Sequence, residues 1–397
     1  MSAVFDQVTR SESEKNYFDK IDEQIKAAKR AGKAVFDLSI GEPDLPPPSQ
    51  FWEELAHGLN QDGACAYPAL YGEDYLLNSI QDWYRVKYST TLDRHEHVLP
   101  LLGVKEGIAH LALGILEKGE YGAYVTPGYP IYKQAIRMAG GIPIALHTMF
   151  DENYFPDLKK IGSRPVRLLY MNYPNNPTGT VLTKESAEQL VQWVRSHNIY
   201  LCLDRVYGRI SKSEIFEDYS ILSVPGAMDC CIEMHSFSKD YNLPGIRLGF
   251  AAGNSHLIQK LKQVKTLTDI SVFKPVQYAG ARLLQADRNG ELESYFEANN
   301  SCYSRRFRII SEILDTHRIK YFQGTGTFFV WFEIPSLFKD DHSFCSDLFE
   351  RTGVLLVPGS EFGEETGRWC RLTLSKPDEM IMCCAAHLDD FLGGCNG

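Results

Sequence analysis

Apolar positions in the middle of the chain follow two different spacings. Between residues 50 and 290, short apolar runs alternate with longer stretches in which apolar residues recur at helical intervals. Short runs bounded by Gly, Pro and polar residues predict buried strands, whereas the helical interval predicts amphipathic helices. Strands that alternate with helices favour a mostly parallel sheet flanked by helices, with ligand-binding loops at the C-terminal ends of the strands. The pattern therefore predicts an α/β fold.

The two ends of the chain carry a different pattern. Residues 14–32 have apolar residues at helical spacing among charges, and residues 35–40 have the composition of a strand. A long charged helix is predicted at 291–314, and a solvated face is expected for it. Beyond this helix, apolar runs predict further strands at 328–332, 354–359 and 369–374.

The length of 397 residues is sufficient for two domains. We expect a large domain of residues 46–296, and a smaller α+β domain that combines residues 1–45 with residues 297–397. A composition of 44% hydrophobic and 23% charged residues is that of an ordinary globular protein. A disordered chain is therefore disfavoured.

The charge and the apolar runs narrow the range of partners. A net charge of -10 provides no attraction for nucleic acid or for an anionic membrane. No apolar run approaches the ~20 residues that span a membrane, and residues 1–15 are polar, with acidic residues at Asp6, Glu12 and Glu14. Neither a secretory signal nor a transit peptide is expected from such a segment. We therefore predict a cytoplasmic protein that binds a small molecule.

The ten cysteines show no C-x-x-C spacing and no accompanying cluster of histidines. Two of them, Cys202 and Cys231, lie inside apolar runs, where a thiol fills space like a small apolar group. We therefore expect free thiols in a reducing compartment and no metal site.

The stretch 236–249 contains the strongest candidate chemistry. It follows a predicted strand and places Lys239 in a loop with Ser236, Ser238 and Arg247. A lysine reacts with an aldehyde only when part of the amine is neutral, and burial or a nearby cation such as Arg247 favours the neutral form. The arginine and the two hydroxyl groups would also hold a phosphate. An aldehyde and a phosphate on one ligand describe pyridoxal 5′-phosphate, although an ordinary surface loop with a lysine has the same residues.

Three other segments suit the same ligand. Gly103, Val104 and Lys105 open a predicted helix, and backbone amides at a helix N-terminus bind phosphate. Tyr129 stands between two prolines after a predicted strand, where an aromatic ring can stack on a pyridine ring and exclude water. Asp204 ends a predicted strand, and its carboxylate can keep a pyridine nitrogen protonated.

The stretch 236–249 resembles the lysine segment of the fold-type I pyridoxal-phosphate enzymes in the class I/II aminotransferase family. Further patterns of that family follow in its order: G-E-P-D at 41–44, Y-x4-G at 67–72, P-x-N-P-T-G at 174–179, D-x-x-Y at 204–207 and R-L-T at 371–373. The resemblance implies an aminotransferase-like fold whose large domain, residues 46–296, binds pyridoxal 5′-phosphate.

The resemblance also implies individual roles. Lys239 is expected to hold the cofactor and then to act as the base at the substrate Cα. Asn176 and Tyr207 are expected to donate to the phenolate oxygen of the cofactor. The Gly41 amide, Asn176 and the Arg371 guanidinium are expected to bind the substrate, with the α-carboxylate on Arg371.

Tyr67 is implied to reach the cofactor phosphate of a neighbouring subunit, so we expect a two-fold homodimer with shared sites. Two positions depart from the family pattern. Val104 stands where Ser, Thr or Ala is usual, so one hydroxyl contact is expected to be missing while the amide contacts of Val104 and Lys105 remain. Arg205 stands where relatives often have glutamate, and its charge is expected to reshape the substrate side of the site.

Transamination of an amino acid with a keto acid is the reaction that the resemblance favours. Two alternatives stay open at this point. The same scaffold can eliminate a leaving group or cyclise its substrate, as capreomycidine-synthase-like relatives do with a hydroxylated arginine. A non-catalytic binding module is the second alternative, but such a module needs neither Lys239 nor Asp204.

The substrate side chain is predicted from the segment 265–271. Relatives specific for dicarboxylates have an arginine there, contributed by the neighbouring subunit, whereas this chain has Asp269 and no arginine. A carboxylate facing the pocket would repel aspartate or glutamate and attract a cationic side chain. We therefore predict a neutral or basic amino acid as substrate. The alternative is that Asp269 caps a turn before Ser271.

Overall fold

The computed structural model of the protein describes residues 17–213 and 218–395. The α-helices in these residues are α1 (Tyr17–Arg30), α2 (Gln50–Leu59), α3 (Asp74–Tyr88), α4 (Val104–Ile115), α5 (Ile131–Met138), α6 (Lys184–Ser196), α7 (Phe237–Asp240), α8 (Ser255–Thr268), α9 (Lys274–Arg288), α10 (Glu293–Thr316), α11 (Asp341–Thr352) and α12 (Asp378–Gly393). None of these helices is both long enough and apolar enough to cross a membrane.

The strands in the same residues are β1 (Phe36–Asp37), β2 (Val98–Leu101), β3 (Tyr121–Thr126), β4 (Ile142–His147), β5 (Val166–Asn172), β6 (Tyr200–Asp204), β7 (Cys231–Ser236), β8 (Gly249–Gly253), β9 (Tyr321–Phe322), β10 (Phe329–Glu333), β11 (Val354–Leu355), β12 (Val357–Pro358) and β13 (Trp369–Thr373).

A seven-stranded sheet with the order β2-β8-β7-β6-β5-β3-β4 forms the centre of the larger part of the chain. Strands β4, β3, β5, β6 and β7 run parallel to one another, and β8 is antiparallel to both β7 and β2. The predicted α/β fold with a mostly parallel sheet is confirmed. Because parallel strands end at one edge, the last residues of β5 and β6, Asn172 and Asp204, lie opposite each other.

Helices cover both faces of this sheet, because side chains alternate between the faces along each strand. In β5, Leu169 and Met171 belong to a core with α2, α3, α6 and α9, whereas Leu168 and Tyr170 belong to a second core with α4, α5 and α8. Strands with apolar side chains on both faces are typical of buried parallel sheets. The apolar runs of the sequence therefore reflect burial on both sides.

A third core lies outside the large sheet. The antiparallel sheet β12-β13-β10-β9 packs with α10, α11 and α12. Strand β1 pairs in parallel with β11, so the N-terminal segment lies against the C-terminal part of the chain. The domain boundaries expected above stay a prediction.

The prediction of a simple solvated face for the charged helix was wrong. On α10, Ile310 and Leu314 are fully buried, and Arg306 is buried as well. The Arg306 guanidinium donates to both carboxylate oxygens of Asp44 at 2.9 Å and to the Leu374 carbonyl at 2.9 Å. The helix thus contributes one side to the third core and holds the 41–44 turn through an ion pair.

The strand predicted at 35–40 is shorter than expected. Only Phe36 and Asp37 pair as strand β1. The Ser39 hydroxyl donates to Asp37 Oδ1 at 2.5 Å, and the Glu42 amide donates to the Ile40 carbonyl at 3.1 Å. These local hydrogen bonds turn the chain toward the edge of the large sheet, because a serine or aspartate side chain competes with strand pairing.

Candidate active site

A cavity of about 360 Å³ lies at the C-terminal ends of β5, β6 and β7. Such a position, outside the carboxyl ends of parallel strands, is where open α/β sheets bind ligands. Most of the side chains and amides predicted from the sequence line this cavity: Gly41, Val104, Lys105, Tyr129, Asn176, Asp204, Tyr207, Ser236, Ser238, Lys239, Arg247 and Arg371.

Lys239 lies in the single turn of α7, directly after β7. Its Nζ donates to the Gly41 carbonyl at 2.7 Å. Burial lowers the pKa of the Lys239 ammonium to about 8; the Glu42 carboxylate raises it, and the guanidinium groups of Arg371 and Arg247 lower it further. A substantial fraction of the amine is therefore neutral near physiological pH, as a nucleophile requires.

Asp204 ends β6, and its side chain is buried in the floor of the cavity. The Tyr132 hydroxyl donates to Asp204 Oδ2 at 2.7 Å, and the Val206 amide donates to Oδ1 at 3.3 Å. Burial raises the pKa of Asp204 to about 6, and these two hydrogen bonds lower it in part. A cationic N–H group of a ligand would complete the charge pairing of this carboxylate.

Tyr132 is a functional residue that the sequence interpretation missed. Its ring stacks on Tyr170 at 5.6 Å, and the Tyr170 hydroxyl donates to the Ile108 carbonyl at 2.7 Å. The signal was available in the sequence, because Tyr132 follows Tyr129 by three residues and lies in the first turn of α5, which begins at Ile131.

Replacing Tyr132 with phenylalanine is expected to raise the pKa of Asp204, because the hydroxyl stabilises only the ionised carboxylate. A hydrogen bond to a charged group contributes about 1.5–3 kcal/mol, which corresponds to roughly one to two pKa units. The acid limb of the pH profile of kcat should therefore move to higher pH. A Tyr170→Phe variant, which keeps the hydrogen bond to Asp204, is the control. An unchanged acid limb in Tyr132→Phe would contradict the role of Tyr132.

The N-terminus of α4 forms the anion-binding side of the cavity. Gly103 precedes the helix with a φ of 90°, and Val104 and Lys105 begin it. A Cβ atom on Gly103 would lie 2.4 Å from Arg247 Nη2, so glycine allows the guanidinium to approach the start of the helix. Ser236 and Ser238 line the same cavity. Helix amides, an arginine and hydroxyl groups together form a donor set that suits a phosphate.

Arg371 comes from β13 and reaches the cavity from the opposite side. It is buried, and its Nη1 donates to Asn176 Oδ1 at 2.9 Å while its Nη2 donates to the Ser39 carbonyl. The Phe329 and Phe362 rings lie 4.2 and 4.8 Å from its guanidinium carbon. Such contacts fix the plane of the guanidinium, which is what bidentate binding of a carboxylate requires.

Gly41 and Tyr207 close the remaining sides of the cavity. A Cβ atom on Gly41 would lie 2.4 Å from the Phe329 ring, so the close approach of the 41–44 turn requires glycine. Tyr207 is buried with its ring against the edges of Phe328 and Phe329. The sequence patterns did not identify Phe329, although its ring contributes to the wall of the site.

Three predicted positions lie apart from the residues that line the cavity. Gly103 adjoins the cavity through Arg247, as described above. Tyr67 is 83% exposed, and Asp269 forms a salt bridge of 2.5 Å with Lys265. The roles assigned to Tyr67 and Asp269 involve a neighbouring subunit and stay predictions.

The expectation for Arg205 was wrong. Its guanidinium lies on the face of the sheet opposite to Asp204, where it donates to the Tyr88 hydroxyl at 3.0 Å and to Asp218. The reason is the alternation of adjacent residues at the end of β6. Arg205 therefore belongs to a buried polar cluster away from the substrate side.

The residues present fit pyridoxal 5′-phosphate. An amine with a pKa of about 8, a buried carboxylate and the anion-binding end of α4 surround one cavity. Tyr129 lines the same cavity and supplies an aromatic ring for a planar ligand.

Comparisons with known proteins agree with this geometry. The sequence model of the family described as aminotransferase class I and II matches residues 33–388. Two curated relatives, the LL-diaminopimelate aminotransferases of Halothermothrix orenii and Aquifex aeolicus, are each 32% identical to this chain. The alignment covers 92% of both chains for the first, and 94% of this chain and 95% of the relative for the second.

Solved structures have the same fold. Apo-BacF from Bacillus subtilis superposes with a TM-score of 0.89 at 27% identity and covers 95% of both chains. An aminotransferase from Staphylococcus aureus superposes with a TM-score of 0.85 at 28% identity, over 91% of this chain and 94% of that one. The chain therefore belongs to the class I and II aminotransferase family, whose cofactor is pyridoxal phosphate.

Proposed function

We propose that the residues around this cavity transfer the amino group of an L-amino acid to a keto acid, with Lys239 as the base. The observation that carries the proposal is the meeting of three groups in one cavity: the Lys239 amine, the Asp204 carboxylate and the Arg371 guanidinium. Elimination, cyclisation and a purely binding role do not explain this set better, and the family and the curated relatives favour transfer.

Each group has a separate task in this proposal. When bound, pyridoxal phosphate supplies an electron sink for the charge that develops at the substrate Cα. Lys239 Nζ removes the proton from Cα, and a pKa of about 8 suits an amine for this task. The Asp204 carboxylate keeps the proton on the ring nitrogen. Arg371 holds the α-carboxylate, and Tyr129 covers the ring and excludes water.

The side chains of Asn176 and Tyr207 are proposed to donate hydrogen bonds to the phenolate oxygen of the cofactor. Gly41 and Asn176 are proposed to bind the substrate. The side chains of Asn176 and Tyr207 line the cavity next to Arg371. The backbone amides of Val104 and Lys105, together with Gly103, Ser236, Ser238 and Arg247, are proposed to bind the phosphate.

The proposed substrate carries a second amino group at some distance from the first, with LL-diaminopimelate as the first candidate. Both curated relatives reported above bear that substrate in their names. The absence of an arginine between residues 265 and 271 also supports a substrate other than a simple dicarboxylate. The Glu42 carboxylate adds a negative charge that raises the pKa of Lys239.

A panel of amino donors tests this choice, with 2-oxoglutarate as the acceptor. The expected order of kcat/KM is LL-diaminopimelate first, then lysine and ornithine, with aspartate last. A second charge-assisted contact contributes about 1.5–3 kcal/mol, so roughly a 10- to 100-fold preference over alanine is expected. Alanine is the control because it has the α-groups and no distal group. A preference for aspartate would contradict the substrate and leave the reaction type intact.

We also propose a two-fold homodimer with shared sites. Tyr67 is 83% exposed in a single chain, and apolar side chains at the end of α8 and beyond it, Leu267, Ile270 and Phe273, are exposed too. Several exposed large apolar residues in one short segment are typical of a surface that another chain covers.

Light scattering during size exclusion should return twice the 45.0 kDa mass of one chain. A Tyr67→Phe variant should keep this mass and bind the cofactor less tightly, because it lacks only the hydroxyl. A stable and active species of 45.0 kDa would exclude shared sites.

A cytoplasmic location is the last part of the proposal. All ten cysteines are free thiols, including Cys345 and Cys370, whose sulfur atoms lie 3.4 Å apart without a bond. Unbonded thiols at this distance support a reducing compartment.

A further inference from the structure

The anion-binding end of α4 rests on a partly buried cluster of charged side chains that no part of the mechanism uses. Lys265 of α8 has a side chain that is only 1% exposed. Its Nζ lies 2.7 Å from Glu106 Oε1 and 2.5 Å from Asp269 Oδ1. Glu106 belongs to the first turn of α4. We propose that Lys265 is a positioning residue for the cofactor phosphate and acts through Glu106, an inference that rests on the proposed cofactor site.

Three hydrogen bonds connect Lys265 to the phosphate side. Glu106 Oε1 accepts from Lys265, and Glu106 Oε2 accepts from the Leu102 amide at 2.6 Å. Leu102 directly precedes Gly103, and its carbonyl accepts from Arg247 Nη2 at 3.5 Å. A displacement of Glu106 therefore moves the Leu102 peptide. This peptide leads into α4 and contacts Arg247, the arginine proposed to bind the phosphate.

Charge balance gives Lys265 a second effect. Glu106 lies two residues after Val104, so its carboxylate opposes the binding of a phosphate at the same helix end. Burial raises the pKa of Glu106, but the nearby His110 and Lys265 side chains bring it below its ordinary value. The carboxylate is therefore ionised at neutral pH. The buried ammonium of Lys265 neutralises it and so removes a repulsion that the phosphate would otherwise experience.

Asp269 and His110 complete the cluster. Asp269 follows the last residue of α8. The Nδ1 atom of His110 lies 4.0 Å from Asp269 Oδ2 and 3.3 Å from Glu106 Oε1. The Lys265 ammonium lies between the two carboxylates, where it serves as the cation of this group. In this arrangement the Asp269 carboxylate pairs with Lys265. This role differs from the selection of a substrate side chain that the sequence predicted for Asp269.

The decisive measurement compares pyridoxal 5′-phosphate with pyridoxal, which lacks the phosphate. Full-length protein freed of cofactor is titrated with each ligand, and the dissociation constants are read from the visible absorbance. A Lys265→Met variant is expected to bind the phosphorylated ligand about 10- to 100-fold more weakly, the range for losing a hydrogen bond to a charged group. Its affinity for pyridoxal should change by less than about three-fold.

Two further variants complete the design. Glu106→Ala removes the hydrogen bond to the Leu102 amide together with the charge that opposes the phosphate, so its selective loss should be smaller than that of Lys265→Met. It keeps the test available if Lys265→Met does not fold, because Glu106 is partly exposed. Lys212→Met is the matched control, since Lys212 is another buried lysine and donates to the Phe329 carbonyl at 2.5 Å. This control should lower the melting temperature and leave the ratio of the two affinities unchanged.

The possible outcomes separate the inference from the proposed function. Equal losses for both ligands in Lys265→Met and Glu106→Ala, or no loss in either variant, would overturn the inference. A selective loss in Lys212→Met would overturn it as well. Wild-type protein that binds neither ligand would instead contradict the proposed cofactor site itself.

Discussion

Replacing Lys239 with alanine is expected to lower kcat by at least about 10⁴-fold, which is the upper range for the loss of a positioned general base. The variant also loses the group that attaches the cofactor, so the visible absorption band of the purified protein should disappear. Both losses follow from one amine, because its Nζ lies in the cavity with Asp204 and Arg371.

Lys212 is the control for this prediction. Burial lowers the pKa of Lys212 to about 7, so its amine is also partly neutral at physiological pH. It lies outside the residues that line the cavity, and therefore Lys212→Ala should keep the absorption band. Borohydride reduction followed by peptide mapping should place the label on Lys239. A label on Lys212, or activity in Lys239→Ala, would show that reactivity and not position selects the lysine.

The pKa of Lys239 determines the direction in which the rate of cofactor attachment changes with pH. An amine is protonated below its pKa, and only the neutral form attacks an aldehyde. The rate of attachment should therefore rise with pH and level off above about 8.

Replacing Asp204 with asparagine is expected to lower kcat by about 10²- to 10³-fold, the range for losing one preorganised electrostatic contact to a developing charge. Asparagine has nearly the same shape and can accept from the Tyr132 hydroxyl, but it cannot hold a proton on the ring nitrogen by charge. Cofactor should still bind, because the Lys239 amine and the phosphate side are unchanged. Steady-state kinetics and the visible spectrum of the same sample provide both readouts.

Two comparisons make the Asp204 prediction specific. Asp204→Glu keeps the charge and should recover part of the activity, while Tyr132→Phe should have a smaller effect than Asp204→Asn. An Asp204→Asn variant whose kcat stays within about three-fold of wild type would exclude an electronic role for the carboxylate, since that role requires the charge.

The residues that act on the cofactor could be predicted because each belongs to a short segment whose spacing is set by one strand and the loop after it. Lys239 follows β7 and Asp204 ends β6, so the parallel sheet brings them to one edge. The opposite orientation of Arg205 follows from the same strand geometry, and it could have been inferred from its position next to Asp204. Tyr132 could have been identified as well, because it follows Tyr129 by three residues.

Contacts between helices that are distant in the chain could not be predicted from the sequence. Lys265 and Glu106 are 159 positions apart, and no local pattern indicates that α8 packs against α4. The burial of Arg306 depends in the same way on Asp44, which is 262 positions away. A charged residue in a helix has the same local signature whether it faces solvent or an ion pair, so only the tertiary structure distinguishes the two.

A half-reaction without any keto acid tests the central claim most directly. Purified protein loaded with cofactor is mixed with an excess of LL-diaminopimelate, and the keto product is counted per active site. About one product per site is expected, after which the reaction stops until 2-oxoglutarate is added, because an aminotransferase retains the amino group. Continued turnover without acceptor would contradict transamination in favour of elimination or cyclisation. No product with any amino acid of the panel would contradict an enzymatic role.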